Sequence, residues 1–265
     1  MKRVFAAIAL AAWPLAGAAA AALSLPFKSP AGPAFNWSGF YVGGNAGGAW
    51  GNEQVSQTFN APPPFLAVDA AAISSSASQS FKSGSATAGL QAGYNYQSGN
   101  WVFGGEVDVE YLGVRGTNSS NTIFPSTLPG GAAGGPATFF NTSTSVSAGW
   151  LFTARPRIGW AVQDWLMYAT GGLAVGRESF SQDIGLLAPF MESSGFSSAR
   201  VGWTVGAGVE YAIARNWSIR GEYLHVDLGT ANTSGTTMPF GAGVTQTGTV
   251  RVTTEIARGG LNYHF

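Results

Sequence analysis

The stretch "SATAGLQAGYNY", from Ser85 to Tyr96, decides the fold class of this chain. Its even positions, beginning at Ala86, are all apolar, and its odd positions are all small or polar. Alternation with period two predicts a β-strand whose two faces differ chemically. In a soluble sheet the apolar face packs against a core that other elements supply. The first question is therefore whether the rest of the chain can supply such a core.

The composition disfavours a soluble core. Only 10% of the 265 residues are charged, against roughly 25% in ordinary soluble domains. The chain has 38 glycines and 13% aromatic residues, and its formal net charge of zero gives no reason to expect a nucleic-acid partner. Cysteine is absent, which excludes thiolate catalysis, disulfides and cysteine-based metal sites. This composition is typical of a sheet that meets lipid.

The N-terminus has the pattern of an export signal. Lys2 and Arg3 precede an apolar run from Val4 to Leu15, and a run of small residues with an A-x-A cleavage pattern follows. An uncleaved membrane anchor is the alternative, which Pro14 and the many alanines disfavour. We therefore expect residues 1–22 to be a signal peptide and the mature protein to be exported.

Two parts are expected beyond the signal peptide. Residues 23–36 carry several prolines and predict a periplasmic linker, and residues 37–265 predict a transmembrane β-barrel. No other segment offers the roughly 18 consecutive apolar residues that a membrane-spanning helix requires. Any membrane crossing must therefore be made by strands.

Seven further stretches alternate as the opening one does, which predicts eight strands in all. They cover residues 39–51, 101–111, 146–160, 165–176, 199–213, 217–228 and 249–265. In the fourth strand, Val146 and Ala148 are assigned to the same apolar face as the large aromatic residues. Pro156 in that strand removes a ladder hydrogen bond, so we expect a local bulge there.

The last strand changes phase along its length. Val250 and Val252 alternate in the opposite phase to Leu261, Tyr263 and Phe265. A β-bulge adds one residue to a strand and so shifts its alternation by one, which would return all of these apolar residues to the same face. We therefore expect a bulge near residues 253–256.

The connections between the strands are of two kinds. Three are tight and end at a tryptophan, whereas the other four are long and polar and cover residues 52–82, 115–144, 177–198 and 229–248. An even strand number, short turns at one end and long loops at the other predict an eight-stranded antiparallel up-and-down transmembrane β-barrel, with short periplasmic turns and four long extracellular loops.

A tryptophan after each short turn, and one at the entry to the first strand, predict a periplasmic aromatic girdle of Trp37, Trp101, Trp165 and Trp217. A soluble eight-stranded barrel or sandwich is the alternative, but it would bury the aromatic rows and expose the charged ones.

Several motifs also resemble a known family. The stretches "FNWSGFYVGGNAGGAWG", "GNWVFGGEVDVEY", "WLMYATGGLAVG", "NWSIRGEYLHVDLG" and "ARGGLNYHF" are similar to the porin-type outer-membrane β-barrel family of surface immunogens of Gram-negative bacteria. The resemblance covers nearly all of the mature chain and implies an OmpA-like transmembrane barrel, with haem binding or pore activity in some relatives. The C-terminus resembles the assembly signal that the barrel insertion machinery reads, here Arg258, Gly260, Tyr263 and Phe265.

The face opposite the apolar one carries a balanced set of charges. They are predicted to face the lumen and comprise Glu106, Asp108, Glu110, Glu210 and Glu222 with Arg155, Arg157, Arg200, Arg220 and Arg258. An eight-stranded barrel has an interior just wide enough for side chains to fill, and buried charges are tolerated when they are paired. A polar core that holds the barrel together is therefore expected, and a narrow charged pore or an ordered ligand in the lumen are the alternatives.

The two histidines give little support for catalysis or metal binding. His264 lies within the assembly signal, where we expect it to pack or to be solvated. His225 and Asp227 stand two residues apart and could form a general base and its orienting carboxylate. No second histidine lies at metal-ligand spacing, so no metal site and no enzyme is expected. Haem is a subordinate expectation from the resemblance, with His225 as the axial ligand.

These observations predict an integral outer-membrane protein with a structural and surface-interaction role. The expected partners are outer-membrane lipid and lipopolysaccharide, and the barrel insertion machinery during assembly. A narrow porin that passes small solutes or ions is the alternative function. The two differ in whether the lumen conducts.

Overall fold

The computed structural model describes residues 35–60, 71, 74–123, 139–186, 191–236 and 245–265. The predicted signal peptide and nearly all of the predicted linker lie outside the described residues. Among the described residues, no helix is long and apolar enough to cross a membrane.

Eight antiparallel strands form a closed barrel in chain order, and β8 pairs with β1 to complete the ring. The strands are β1 (Gly39–Asn60), β2 (Gln79–Ser98), β3 (Trp101–Ile123), β4 (Phe139–Val162), β5 (Trp165–Leu186), β6 (Met191–Ala214), β7 (Trp217–Thr236) and β8 (Thr245–His264). The predicted up-and-down eight-stranded barrel is confirmed.

Short turns join the strands at one end, which we call the turn end. Residues 99–100, 163–164 and 215–216 form two-residue turns, and Gly99 has a φ of 61°, a region that favours glycine. At the opposite loop end, the connections are shorter than predicted, because every strand continues into the residues predicted as loops. The segments left between strands are 61–78, 124–138, 187–190 and 237–244.

The outer face of the barrel carries a belt of large apolar side chains. In β2 the apolar positions of the opening stretch point outward, and Leu90 is 72% exposed, whereas Thr87, Gln91 and Asn95 are buried in the lumen. Lipid therefore takes the place of the missing core. The belt has aromatic rims at both ends, and the loop-side rim, which the sequence did not reveal, comprises Trp50, Tyr111, Trp150, Trp203 and Tyr223.

Beyond the belt the two faces partly exchange their polarity, and buried valines share the inner face with buried polar side chains such as Glu53 and Gln182. The strands have 20–24 residues, about twice the 9–11 that a membrane crossing needs. In the loop-end half, which extends past the belt, the outward residues are mostly Ser, Thr, Asn and Gln and the inward ones include buried valines. This is the arrangement of a sheet whose outer face meets water.

This exchange corrects two predictions. Val146 and Ala148 face the lumen, not lipid, and a register shift between Ala148 and Leu151 separates them from the lower part of β4. In β8 the pairing with β1 is continuous over its whole length, so the predicted bulge at residues 253–256 is wrong. Val250 and Val252 are buried because the apolar face is the inner one at that height.

The predicted bulge at Pro156 is also wrong. Pro156 pairs with Gly105 without any change of register, and the register toward β5 is the same on both sides of it. The proline costs one ladder hydrogen bond and does not shift the strand. Three register shifts lie nearer the loop end, and one of them, in β7, includes Gly229 with a φ of 76°, whereas a fourth lies at the turn end between Ala212 and Ala214.

Two seams divide the wall in the loop-end half. Backbone pairing between β2 and β3 ends at Thr87 and Leu112, and pairing between β6 and β7 ends at Trp203 and Asp227. The other six neighbouring pairs continue toward the loop end. Among the described residues, the barrel therefore passes into two four-stranded sheets, β7-β8-β1-β2 and β3-β4-β5-β6. Their facing sides share a buried cluster of Val55, Ala231, Val250 and Val252 with Val146 and Phe180.

Candidate functional site in the barrel lumen

Strand alternation brings most of the predicted charges into one layer of the lumen. Glu106, Asp108 and Glu110 follow one another along the inner face of β3, and Arg155 and Arg157 lie on the neighbouring β4. The register places Glu106 directly opposite Arg155. The pairing expected between these two strands is thus the starting point of the network.

Glu106 is a centre of this network. Its Oε1 lies 2.6 Å from Arg155 Nη2, and its Oε2 lies 2.5 Å from Arg220 Nη1 and 3.7 Å from Arg157 Nη1. Tyr41 donates its hydroxyl hydrogen to the same Oε2 at 2.7 Å. All of these side chains are buried. One carboxylate therefore joins strands β1, β4 and β7 across the lumen.

Glu222 on β7 is the second centre. Its carboxylate lies 2.6 Å from Arg258, 3.2 Å from Arg220 and 3.3 Å from Arg155, and it accepts a hydrogen bond from Tyr168. Arg258 also pairs with Glu110 and lies 3.3 Å from Asp108. Each guanidinium thus contacts at least two carboxylates, as the charge-assisted pairing of Arg permits.

Neutral groups satisfy the remaining oxygens. Thr153 donates to Asp108 at 2.6 Å, and Thr87 donates to Glu110 at 2.7 Å. Glu210 accepts from Ser218 and from Asn262, at 2.5 and 2.7 Å. Hydrogen bonds of this kind make the burial of ion pairs tolerable. The sequence predicts the charges but not these neutral partners, because the pairing depends on which strands face each other across the lumen.

Glu210 forms an outlying part of the same layer. It lies 3.1 Å from Arg157, whose guanidinium stacks 3.9 Å from the centre of the Tyr168 ring. His264 lies in the lumen with its Nε2 3.4 Å from Glu210 Oε1 and 2.9 Å from Ser218 Oγ. His264 therefore packs at the turn end, as one of the two expectations has it, and it also contacts the charge layer, which the sequence did not predict.

Arg200 does not join the network. Its side chain is 21% exposed and its Nε lies 4.0 Å from Glu178, nearer the loop end. The balanced set of five acids and five arginines is therefore five acids and four arginines, with His264 beside one of the acids. Register decided this outcome, because Arg200 lies opposite Gly176, far from the level of Glu106.

Apolar layers close the lumen on both sides of the charges. The next inward residues toward the loop end form a buried cluster that includes Leu112, Leu151, Leu224 and Ile256. Toward the turn end a second buried cluster contains Val102, Leu166, Tyr168 and Trp37. The valine-rich cluster between the two sheets lies beyond the first of these. The alternation of the sequence did not reveal these layers, because inward apolar residues contradict the simple apolar-out pattern.

The position of Trp37 corrects the predicted girdle. Trp37 is 0% exposed and packs against Phe35 and His264 inside the turn-end mouth, with ring centroids 4.7 and 5.7 Å away. It fills the mouth and does not face lipid. Trp101, Trp165 and Trp217 are exposed on the outer face as predicted, and Trp160 contacts Trp101 at a centroid distance of 4.8 Å.

The residues of the predicted assembly signal divide between two roles in the fold. Tyr263 and Phe265 have their rings in contact, 5.2 Å apart, at the turn end, and Arg258 belongs to the lumen network. A Cβ on Gly260 would lie 3.2 Å from Arg220 Cγ, so the glycine makes room for that arginine. Recognition of this segment by the insertion machinery stays a prediction.

His225 and Asp227, which the sequence would allow to pair, are bonded to other partners. His225 faces outward, where its Nδ1 lies 2.6 Å from Glu255 Oε1 and its ring lies 5.2 Å from that of Trp203. Asp227 is buried and pairs with Arg251 at 2.6 Å. Across the described ranges, no group of three or more possible metal ligands is found. Haem binding at His225 stays a prediction.

Comparison with known proteins agrees with this architecture. Residues 8–265 match the outer membrane protein β-barrel domain family. The chain is 34% identical over 245 residues to a 31 kDa outer-membrane immunogenic protein of Brucella melitensis, covering 91% of this chain and 89% of that protein. It is 28% identical over 204 residues to a 22 kDa outer membrane protein of Rhizobium leguminosarum, covering 76% and 68%.

Solved structures show more distant likenesses. Neisserial surface protein A is 16% identical, with 86% of this chain and 98% of that one covered and a TM-score of 0.37. OprG of Pseudomonas aeruginosa is 9% identical, with 87% and 99% covered and a TM-score of 0.48. Both are too distant to bear on function.

Proposed function

Because this chain belongs to the outer membrane β-barrel family, we propose that it serves the cell envelope as a closed structural barrel that presents its loop-end connections on the cell surface. The chain is an outer-membrane protein, and this location makes the turn end periplasmic and the loop end extracellular. The proposal concerns what the barrel does there.

The succession of filled layers in the lumen supports a closed barrel. A continuous water path would have to cross the mouth filled by Trp37, the paired charge layer, the Leu112–Leu224–Ile256 layer and the valine-rich cluster. Hydrophobic constrictions exclude water and ions even where they are not sterically sealed. The arrangement favours a plug over the alternative of a narrow porin.

The extended strands support the surface role. The loop-end half continues well past the apolar belt, and its two sheets are held together by the valine-rich cluster and by a hydrogen bond of 3.2 Å from Gln246 to Gln182. These contacts hold together the strand ends that extend beyond the apolar belt. This loop-end half is better suited to the display of loops than to the passage of solutes.

Single-channel recording tests the proposal. The mature protein, refolded and shown to be folded by its heat-modifiable gel mobility, is added to a planar lipid bilayer. We expect no steady conductance above that of protein-free bilayers treated with the same detergent. Recurrent channels of uniform size in the folded sample, absent after heat denaturation, would establish the porin function instead.

A further inference from the structure

Four cations face outward just beyond the apolar belt on its extracellular side. They are Lys82 on β2, Arg115 on β3, Arg177 on β5 and Arg251 on β8. Arg115 stands four residues beyond Tyr111, and Arg177 stands four residues beyond Leu173. All four cations therefore lie near the level where the apolar surface gives way to polar side chains.

Two of these cations are engaged by the protein and two are not. Arg251 forms an ion pair of 2.6 Å with Asp227, and Arg177 donates to Ser197 at 3.2 Å. Among the described residues, no carboxylate pairs with Lys82 or Arg115. Both side chains are exposed, so their charges are available to a partner.

The two unengaged cations flank the β2–β3 seam. Pairing ends at Thr87 and Leu112, and Arg115 is the third residue beyond Leu112 while Lys82 is the fifth beyond Thr87. Where strands stop pairing, each leaves backbone N–H groups without a ladder partner on the side facing the other. Backbone amides at a sheet edge, combined with cations, attract anions.

The β6–β7 seam lacks this combination and provides an internal comparison. Arg200 beside it points inward toward Glu178, and the outward residues beyond the bulge in β7 include the neutral Thr230 and Asn232. An exposed, unengaged cation thus accompanies only one of the two seams in the described part of the chain.

The level of the β2–β3 seam identifies the anion. Just below it lie the aromatic rim and the lipid-facing belt, and just above it β3 presents Thr117, Ser119 and Asn121 outward. Acyl chains end and head groups begin at this height, so the anions that reach it are lipid phosphates. The hydroxyl and amide side chains above suit a head group that carries sugars.

We propose that the β2–β3 seam binds the phosphorylated saccharide head group of an outer-leaflet glycolipid. Lys82 and Arg115 pair with a phosphate, and the seam amides and the polar side chains of β3 contact the adjoining sugar. This site depends on the outer-membrane location but not on a closed lumen, so its failure would leave the proposed structural role standing.

The test measures glycolipid binding by the folded full-length mature protein in detergent, using native mass spectrometry with diphosphoryl lipid A as the probe. The variant K82Q/R115Q removes both cations of the seam. The variant R177Q/R215Q is the matched control, since it removes one extracellular cation away from the seam and one at a periplasmic turn. All four positions are exposed, and heat-modifiable mobility verifies that each variant is folded.

We expect K82Q/R115Q to weaken lipid A binding by about tenfold or more, because each surface cation contributes appreciably to binding an anionic lipid. The control should change binding by less than about twofold. Dephosphorylated lipid A should bind the unmodified protein as weakly as diphosphoryl lipid A binds K82Q/R115Q. If one double variant fails to fold, the single variants K82Q and R115Q are compared with R177Q.

Three results would overturn the proposal. One is equal weakening in the seam variant and the control, which would indicate nonspecific charge attraction. Another is equal binding of dephosphorylated lipid A or of phosphatidylglycerol, which would show that the phosphorylated saccharide is not what the seam recognises. The third is displacement of lipid A by inorganic phosphate at similar concentration, which would identify a free-anion site.

Discussion

At the scale of single residues, the packing of the lumen depends on glycines, which have no side chain, as much as on the positions of the charged residues. Tyr41 donates to Glu106 and accepts from Arg157 at 2.8 Å, so its ring must lie flat against the neighbouring strand. Gly93 on β2 provides that space, since a Cβ there would overlap the Tyr41 ring. The glycines that face the lumen are thus part of the charge network's architecture.

Gly93→Ala should therefore destabilise the barrel by roughly 1–3 kcal/mol, because the ring must move from its two hydrogen bonds. Gly105→Ala is the matched control, since a Cβ there meets no heavy atom within 4 Å. It should change the free energy of unfolding by less than about 0.5 kcal/mol. Reversible urea unfolding in lipid vesicles measures both values, and equal losses in the two variants would contradict the role assigned to Gly93.

At the scale of the strand, each element passes through two environments. The outward residues of β3 change from Val107 and Val109 in the belt to Thr117 and Ser119 beyond it, while its inward residues change from Glu106 and its neighbours to Leu112. In β3 the buried charges lie at the level of the belt, and Leu112 and Val114 are buried next to them toward the loop end. One strand thus combines a membrane pattern and a soluble pattern.

The position of the belt can be tested within this one strand. Val107→Arg places a charge on the lipid-facing surface of β3 and should cost roughly 2–4 kcal/mol. Ser119→Arg lies on the same outward face beyond the belt and should cost less than about 1 kcal/mol. Unfolding in vesicles gives both free energies. A larger loss for Ser119→Arg would mean that the membrane covers the other half of the strand.

At the scale of the whole molecule, several layers of buried side chains fill the described part of the lumen. The charge layer joins strands β1, β3, β4, β5, β6, β7 and β8 by hydrogen bonds and ion pairs. The apolar layer of Leu112, Leu224 and Ile256 adjoins it toward the outside. The charge layer connects the strands across the lumen, and we expect either layer alone to stop conduction.

This redundancy leads to a prediction about combined substitutions. Arg155→Ala with Arg157→Ala leaves buried carboxylates short of partners and should lower stability by about 3–5 kcal/mol, yet planar-bilayer recordings should stay silent because the apolar layer is intact. Adding Leu112→Ala and Leu224→Ala removes a second layer, but the mouth filled by Trp37 and the valine-rich cluster stay in place, so this variant should stay silent as well. Leu112→Ala with Leu224→Ala alone is the control and should also stay silent. Conductance from the arginine variant alone would show that the charges are the sole barrier.

Much of the architecture was predictable from the sequence, because lipid imposes a strong and simple rule on the outer face. The alternation in Ser85–Tyr96 and the tight turns before Trp101 and Trp217 predicted the strand number, the direction of the faces and the closed antiparallel barrel. The acids of β3 and the arginines of β4 were predicted to lie inside for the same reason. A charged side chain on a membrane-spanning strand cannot face lipid without a large cost, so it must face the lumen.

Only the tertiary structure decided what each inward side chain meets. Trp37 fills the lumen mouth, Arg200 lies apart from the other arginines, and Val250 faces inward without a bulge. These outcomes depend on strand register and on the height at which each strand leaves the membrane. Alternation along one strand determines which face a residue takes but not which residues of the other strands share its level, because that level is set by how eight tilted strands close on one another.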